Sequence, residues 1–244
     1  MFDHVTIRVR EREESARFYD TVLGVLGIPA GDVGDAFTEW DDFSIAQADS
    51  DRPSTSGLHV GFVAPTREHV DAFWLAGTDA GYASDGEPGE RPEYTADYYG
   101  AFLLDPDGNS AEAVHHSDVR PGNWIDHLWI GVENLDRAAA FYGALGPHLG
   151  IRRGTSQGSR QPFRGAFATF SLVADGRAPT RNLHMAFPAP NRRTVDGFHA
   201  GALAAGYRTN GAPGERPGYH PGYYGAFVLD PDGTNVESVY HGRG

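Results

Sequence analysis

Six residues of this chain have the types and placement to do chemistry. His4, His59 and Glu112 fall in its first half; His127, His184 and Glu237 fall in its second. His4 opens a segment in which His4, Thr6 and Arg8 alternate with Val5, Ile7 and Val9, the pattern of a strand with one face buried. His59 stands in the same way in Leu58–Val63, opposite Leu58, Val60 and Phe62. Each glutamate lies in the last predicted strand of its half. Parity puts all six opposite the apolar, helix-packed face, so they point into the concave side of a curled sheet. Two imidazoles and one carboxylate on converging strands suit a divalent metal, often Fe(II), with positions left open for substrate and oxygen. Neutral rings and a single carboxylate fix such an ion without saturating its shell.

Composition narrows the alternatives. The 244 residues carry 20 basic and 33 acidic side chains, for a formal charge of −13. All the basic residues are arginine, and there is neither lysine nor cysteine. That excludes lysine Schiff bases, thiol nucleophiles, disulfides, thiolate zinc sites and iron–sulfur clusters. Scattered arginines and a negative total argue against a nucleic-acid partner. No run approaches the ~18 apolar residues of a membrane span. The start, Met1-Phe2-Asp3-His4, lacks the charged-then-apolar pattern of a signal peptide. A cytoplasmic protein is expected, and the arginine-only, Ala/Gly-rich composition suggests a bacterial source. With 40% hydrophobic residues the chain can bury a core.

The elements that position the six residues are written twice. Asp3-His4-Val5 recurs as Asp126-His127-Leu128, and Phe18-Tyr19 as Phe141-Tyr142. Further along, 86–116 recurs as 211–241 with 20 of 31 positions identical. Two domains follow, 1–118 and 123–244, joined by a segment whose Pro121-Gly122 reads as a turn. Each half predicts a strand, a helix over 13–26, and strands over 36–40 and 43–48. The order then restarts with Leu58–Val63, a helix over 66–80 capped by Thr66 and stopped by Gly81, and strands Tyr99–Leu104 and Ser110–His115. Asp105-Pro106-Asp107-Gly108 turns between the last two. The fold class is therefore α+β, with four βαβββ modules whose curled mixed sheets form metal-binding cups.

Asp-His near the start, Phe-Tyr in the first helix and the run from Tyr98 through Asp105-Pro106-Asp107-Gly108 to Glu112 resemble the vicinal oxygen chelate superfamily. This groups glyoxalase I, the bleomycin-resistance proteins, fosfomycin-resistance thiol transferases and type I extradiol dioxygenases. The resemblance covers nearly the whole chain in both copies and implies the metal set His4, His59, Glu112, His127, His184 and Glu237. It does not fix the reaction, because one such scaffold hosts several chemistries. A glyoxalase I site needs a fourth ligand, a glutamate in the last strand of the first module. Here that strand offers only Gln47, and its counterpart 167–172 offers no carboxylate. A three-ligand site matches the extradiol and fosfomycin-resistance enzymes, the latter with ligands swapped between partners. Swapping would group His4 with His184 and Glu237, and His127 with His59 and Glu112; the sequence leaves both groupings open.

Gly218-Tyr219-His220 ahead of Asp230-Pro231-Asp232-Gly233 and Glu237 is similar to the extradiol signature, although Ala226-Phe227 stands where an aliphatic-Tyr pair belongs. The resemblance implies an acid–base role for His220, whose first-half counterpart is Thr95, and Tyr223 is a second catalytic candidate, able to line the pocket with a polar tip. Tyr98, Tyr99 and Tyr224 are further candidates to line the pocket. Trp129 shares the face of His127 and narrows that pocket relative to the one holding Thr6. The expected function is a metal-dependent, extradiol-dioxygenase-like oxidoreductase on a small chelating substrate, aromatic in character. Fe(II) is the first choice of metal, with Mn, Ni or Zn as alternatives. A glyoxalase-like lyase or isomerase, a thiol transferase and a non-catalytic drug- or metabolite-sequestering protein are the competing readings. The only partner expected is a small molecule, on a monomer or homodimer.

Overall fold

Phe18, Tyr19, Val22 and Leu23 recur at helical spacing and are all buried, so the first helix has one apolar stripe to hide. The strand before it hides Val5, Ile7 and Val9 on one face. These two surfaces meet, and every module repeats the arrangement. The computed structural model describes residues 1–118 and 123–242; the predicted Pro121-Gly122 turn lies outside them. The first module is β1 (His4–Val9), α1 (Arg12–Gly24), β2 (Asp32–Val33), β3 (Phe37–Trp40) and β4 (Phe43–Gln47). The second is β5 (Leu58–Val63), α2 (Arg67–Asp79), β6 (Ser84–Glu90), β7 (Tyr99–Leu104) and β8 (Ser110–His115). The third is β9 (Ile125–Gly131), α3 (Leu135–Leu149), β10 (Arg152–Arg153), β11 (Arg160–Arg164) and β12 (Thr169–Val173). The fourth is β13 (His184–Pro188), α4 (Arg192–Ala204), β14 (Arg208–Glu215), β15 (Tyr223–Leu229) and β16 (Asn235–His241). The βαβββ order holds four times.

The strands form two eight-stranded mixed sheets, β14-β15-β16-β13-β1-β4-β3-β2 and β10-β11-β12-β9-β5-β8-β7-β6. Each sheet thus joins one module from residues 1–118 to one from 123–242. The seams are antiparallel pairs, β1 with β13 and β5 with β9, and β1 and β9 also run parallel to β4 and β12. The helices cover the outer faces, with α1 against α2 and α3 against α4, so each helix pair bridges the two sheets. Buried Asp42 reinforces the bridge by accepting from Asn123 Nδ2 and the Ile125 amide.

The two-residue strands β2 and β10 escape the sequence pattern, and so do two longer ones. β6 and β14 run through Gly86-Glu87-Pro88-Gly89 and Gly211-Ala212-Pro213-Gly214, which read as loops. They persist because they lie at sheet edges and pair with β7 and β15 through register shifts, where proline and glycine are tolerated. Thr66 precedes α2, but its hydroxyl meets His69 Nδ1 instead of capping a backbone amide.

Candidate metal centres

Strand register brings the six residues together in two groups of three. His4 lies opposite Ala186, and Ala186 opposite Glu237, with His184 on the diagonal across β1 and β13. His127 lies opposite Gly61, and Gly61 opposite Glu112, with His59 in the corresponding place. The groups are therefore His4, His184, Glu237 and His59, Glu112, His127. Of the two groupings open to the sequence, the structure has the one that crosses between the halves.

The ligating atoms face one another at short range. His59 Nε2 lies 2.9 Å from Glu112 Oε2 and 3.1 Å from His127 Nε2, and His127 Nε2 lies 3.3 Å from Glu112 Oε2. In the other group His4 Nε2 and His184 Nε2 are 3.1 Å apart, and they lie 3.9 and 3.2 Å from Glu237 Oε2. An ion with bonds of roughly 2.0–2.2 Å and ligands at right angles spaces its ligand atoms about 3 Å apart. Both trios fit such an ion. Each glutamate is 1% exposed, and its second oxygen accepts a tyrosine hydroxyl: Tyr98 to Glu112 at 2.7 Å and Tyr223 to Glu237 at 2.8 Å. Tyr223 thus sits beside the trio as the anchor of its carboxylate.

The remaining ring nitrogens are also held. His4 Nδ1 meets Asp3 Oδ1, and His127 Nδ1 meets Asp126 Oδ1, each at 2.8 Å. A carboxylate there fixes the proton on Nδ1 and turns the Nε2 lone pair to the centre. His59 Nδ1 lies 3.1 Å from Ser110 Oγ, and His184 Nδ1 lies 2.8 Å from the Asn235 side-chain amide. Burial opposes charge on His4 and His127, but the hydrogen bonds they donate to Asp3 and Asp126, with the neighbouring carboxylate charges, outweigh it and raise both. Burial dominates at His59 and His184 and lowers them. At Glu112 the hydrogen bonds and charges of His127 and His59 overcome burial and lower the carboxyl.

No fourth carboxylate joins either trio among the described residues. On β4 and β12 the positions beside the trios are Ser44, bonded to Thr6, and Ser171, bonded to Arg160. Gln47, the amide weighed as a fourth ligand, is exposed and binds the Arg10 carbonyl and Arg12 amide at the start of α1. His220 is not in a trio either. Its ring contacts the Pro221 carbonyl and His241, and His241 in turn meets Asp3.

The two surroundings differ. The His59 trio opens into a cavity of about 810 Å³ lined by Trp129, Tyr94, Phe102 and Arg177. Trp129 carries the Arg160 guanidinium at 4.7 Å and has Tyr94 edge-on at 5.6 Å. In the other cup Thr6 takes the place of Trp129, and Tyr219 packs on Phe37 and Tyr223. Tyr99 and Tyr224 point away from the trios and bond to Asp71 and Asp196 on the helices.

The sequence reading passed over Asp3, Asp126, Ser110 and Asn235. The Asp-His pair repeated in both halves was a usable signal for the first two. The serine and asparagine become relevant only through the register of β8 and β16.

Residues 1–113 match the model of the Glyoxalase/Bleomycin resistance protein/Dioxygenase superfamily. That match covers the first half, slightly under half of the chain, and the second half repeats its βαβββ modules. Among solved structures, glyoxalase I from Zea mays superposes with a TM-score of 0.69 at 18% identity, covering 98% of this chain and 92% of its own. A single-residue variant of that enzyme gives 0.72 at 18% identity over the same shares. A protein from Bacillus subtilis, provisionally named as a dioxygenase, gives 0.68 at 15% identity, covering 100% of this chain and 86% of its own. At these identities the likeness is one of fold. No curated protein sequence matches the chain.

Proposed function

We propose that the chain is a metal-dependent enzyme with two His-His-Glu centres and an extradiol-dioxygenase-like activity on a small chelating, aromatic substrate. One observation carries the reading: each trio is complete with three ligands, and the neighbouring strand offers Ser44 or Ser171 in place of a fourth. A divalent metal bound there, Fe(II) by preference, would supply a Lewis acid with open positions for two adjacent substrate oxygens and for dioxygen. The chain's own part is to aim the lone pairs. Asp3 and Asp126 orient one imidazole of each trio, and Tyr98 and Tyr223 hold the carboxylates. Trp129, Tyr94 and Phe102 offer aromatic surface to one cup, against which a flat substrate could pack.

The test is reconstitution with Fe(II) and a panel of catechols, followed by oxygen uptake. Uptake with ring cleavage is expected, abolished in the double variant Glu112→Gln, Glu237→Gln. If no catechol consumes oxygen, the dioxygenase reading fails. Oxygen-independent turnover with Mn, Ni or Zn would point to lyase, isomerase or thiol-transfer chemistry instead. Tight ligand binding with no turnover under any metal would point to sequestration.

A further inference from the structure

One repeated motif has no part in the trios. Gly89-Glu90-Arg91-Pro92, where the β6 edge ends, recurs as Gly214-Glu215-Arg216-Pro217 where β14 ends. An acid beside a base suggests a local ion pair, but the structure separates them. Glu90 pairs with Arg67 on α2, and Glu215 with Arg192 on α4. The motif arginines give their hydrogen bonds to backbone carbonyls instead. Arg91 Nη1 donates to Glu90 at 3.1 Å and Nη2 to Glu87 at 2.9 Å. Arg216 Nη1 donates to Glu215 at 3.2 Å and Nη2 to Ala212 at 2.7 Å. Glycine makes room for this. A Cβ on Gly89 would stand 2.7 Å from Arg91 Nη1, and one on Gly214 2.9 Å from Arg216 Nη1.

The clamped guanidinium faces a cup. Arg91 lies over Phe102 at 5.5 Å, and Phe102 stands 5.8 Å from the His59 ring, so one aromatic ring separates the charge from an imidazole of the trio. Arg91, Phe102, His59 and Glu112 line the same cavity. Arg216 repeats the arrangement over Phe227 at 5.5 Å, with Phe227 6.2 Å from His184. The cavity's other charges are engaged or apart: Arg177 pairs with Asp175, Asp85 accepts from Ser110, and Glu93 forms no ion pair with Arg91. Two of the five N–H donors of Arg91 go to carbonyls, and Nε has no partner among the described residues. The bonds that fix the fork therefore leave donors free. A half-buried, preoriented guanidinium with no carboxylate of its own fits a planar anion.

We propose that Arg91 and Arg216 determine specificity by receiving a carboxylate of the substrate. Each cup then takes a ring that carries two adjacent oxygens at the trio and an acidic side group about one ring's width away. Contacts at both ends of the ring fix which of its edges faces the trio. The placing of the oxygens rests on the reading of the trios as metal centres; the contact between arginine and carboxylate does not.

Two measurements separate these claims. Calorimetry compares 3,4-dihydroxyphenylacetate with 4-ethylcatechol, which lacks the acid, on protein loaded with redox-inert Zn2+. With Glu237→Gln silencing the His4 centre, the acid is expected to bind roughly tenfold or more tightly than the neutral catechol. Arg91→Gln should erase that preference, weakening the acid roughly tenfold to a hundredfold and the neutral catechol far less. Arg91→Lys, which keeps the charge without the fork, should recover part of it. With Glu112→Gln present, Arg216→Gln should act in the same way on the other cup. No preference in the parent, a preference that survives Arg91→Gln, or equal losses for both ligands would overturn the proposal. Failure of both catechols to bind would sink the chelation reading alone. Phenylacetate, an acid without the hydroxyls, then decides the arginine contact. In metal-free protein it should shift the Nε–H resonances of Arg91 and Arg216, and unmoved resonances would overturn the proposal.

Discussion

A Cβ added to Gly225 would stand 2.5 Å from Glu237 Oε1, and one added to Gly100 the same distance from Glu112 Oε1. Each glycine lies on the strand beside its glutamate, across from Val239 or Val114, and leaves room for the bond between carboxylate and tyrosine. Alanine at either position must push the carboxylate out of its trio. Gly225→Ala is expected to lower bound metal from two ions per chain to one, and Gly100→Ala to do the same at the other centre. Elemental analysis after dialysis against excess metal decides it; two ions in either variant would mean that the carboxylate is not a ligand.

Removing the tyrosine hydroxyls tests the same contact from the other side. Tyr223→Phe or Tyr98→Phe leaves a fully buried carboxylate oxygen without its donor. The cost to the metal-free protein is about 1–3 kcal/mol in denaturant unfolding. Added metal should restore part of it, because the ion stabilises the charge the hydroxyl had served.

The pH dependence of the metal-free protein follows from opposite shifts within one trio. His127 is raised to about 10, the hydrogen bonds it donates to Asp126 and Glu112 outweighing burial. Its stabilising effect is therefore complete below the ordinary histidine value of 6.5 and is lost as pH rises through about 10. Glu112 is lowered to about 2, so its effect is complete above 4.5 and is lost as pH falls through about 2. Both are present between about 4.5 and 6.5. A metal must displace the His127 proton, so binding at neutral pH should release a proton at this centre. Calorimetry in two buffers of different ionisation enthalpy measures that number; zero would contradict the assignment.

Trp129→Thr gives the His59 cup the residue its twin has at Thr6. It removes the platform under Arg160, a contact worth about 0.5–2 kcal/mol, and enlarges the cavity. With Glu237→Gln silencing the other centre, the variant should lose affinity for flat aromatic ligands about tenfold or more while metal content stays unchanged. Metal loss would place Trp129 among the supports of the trio.

Much of this was legible in the chain because strand parity is a strong constraint. Alternation about His4 and His59, with Glu112 in a last strand, placed each side chain on the inner face, and the repeat confirmed the choice. Which histidine meets which glutamate was not legible. That depends on β1 pairing with β13 instead of β5, a long-range choice that leaves no local mark. The β6 and β14 edges were hidden because glycine and proline erase the alternation that a strand otherwise shows. His220 illustrates a different failure. Its motif pointed to a place beside the metal, whereas its ring reaches the centre only through His241 and Asp3.

The crossing of modules between sheets also bears on ancestry. One half on its own supplies a β1-type histidine to one sheet and a histidine–glutamate pair to the other, so it completes no centre. Two identical halves would have to associate, and symmetry would then give them two identical centres. Covalent fusion lifts that requirement. Once both halves lie on one chain, a substitution changes one centre and spares the other, so Thr6 and Trp129, or Thr95 and His220, can coexist in a single molecule.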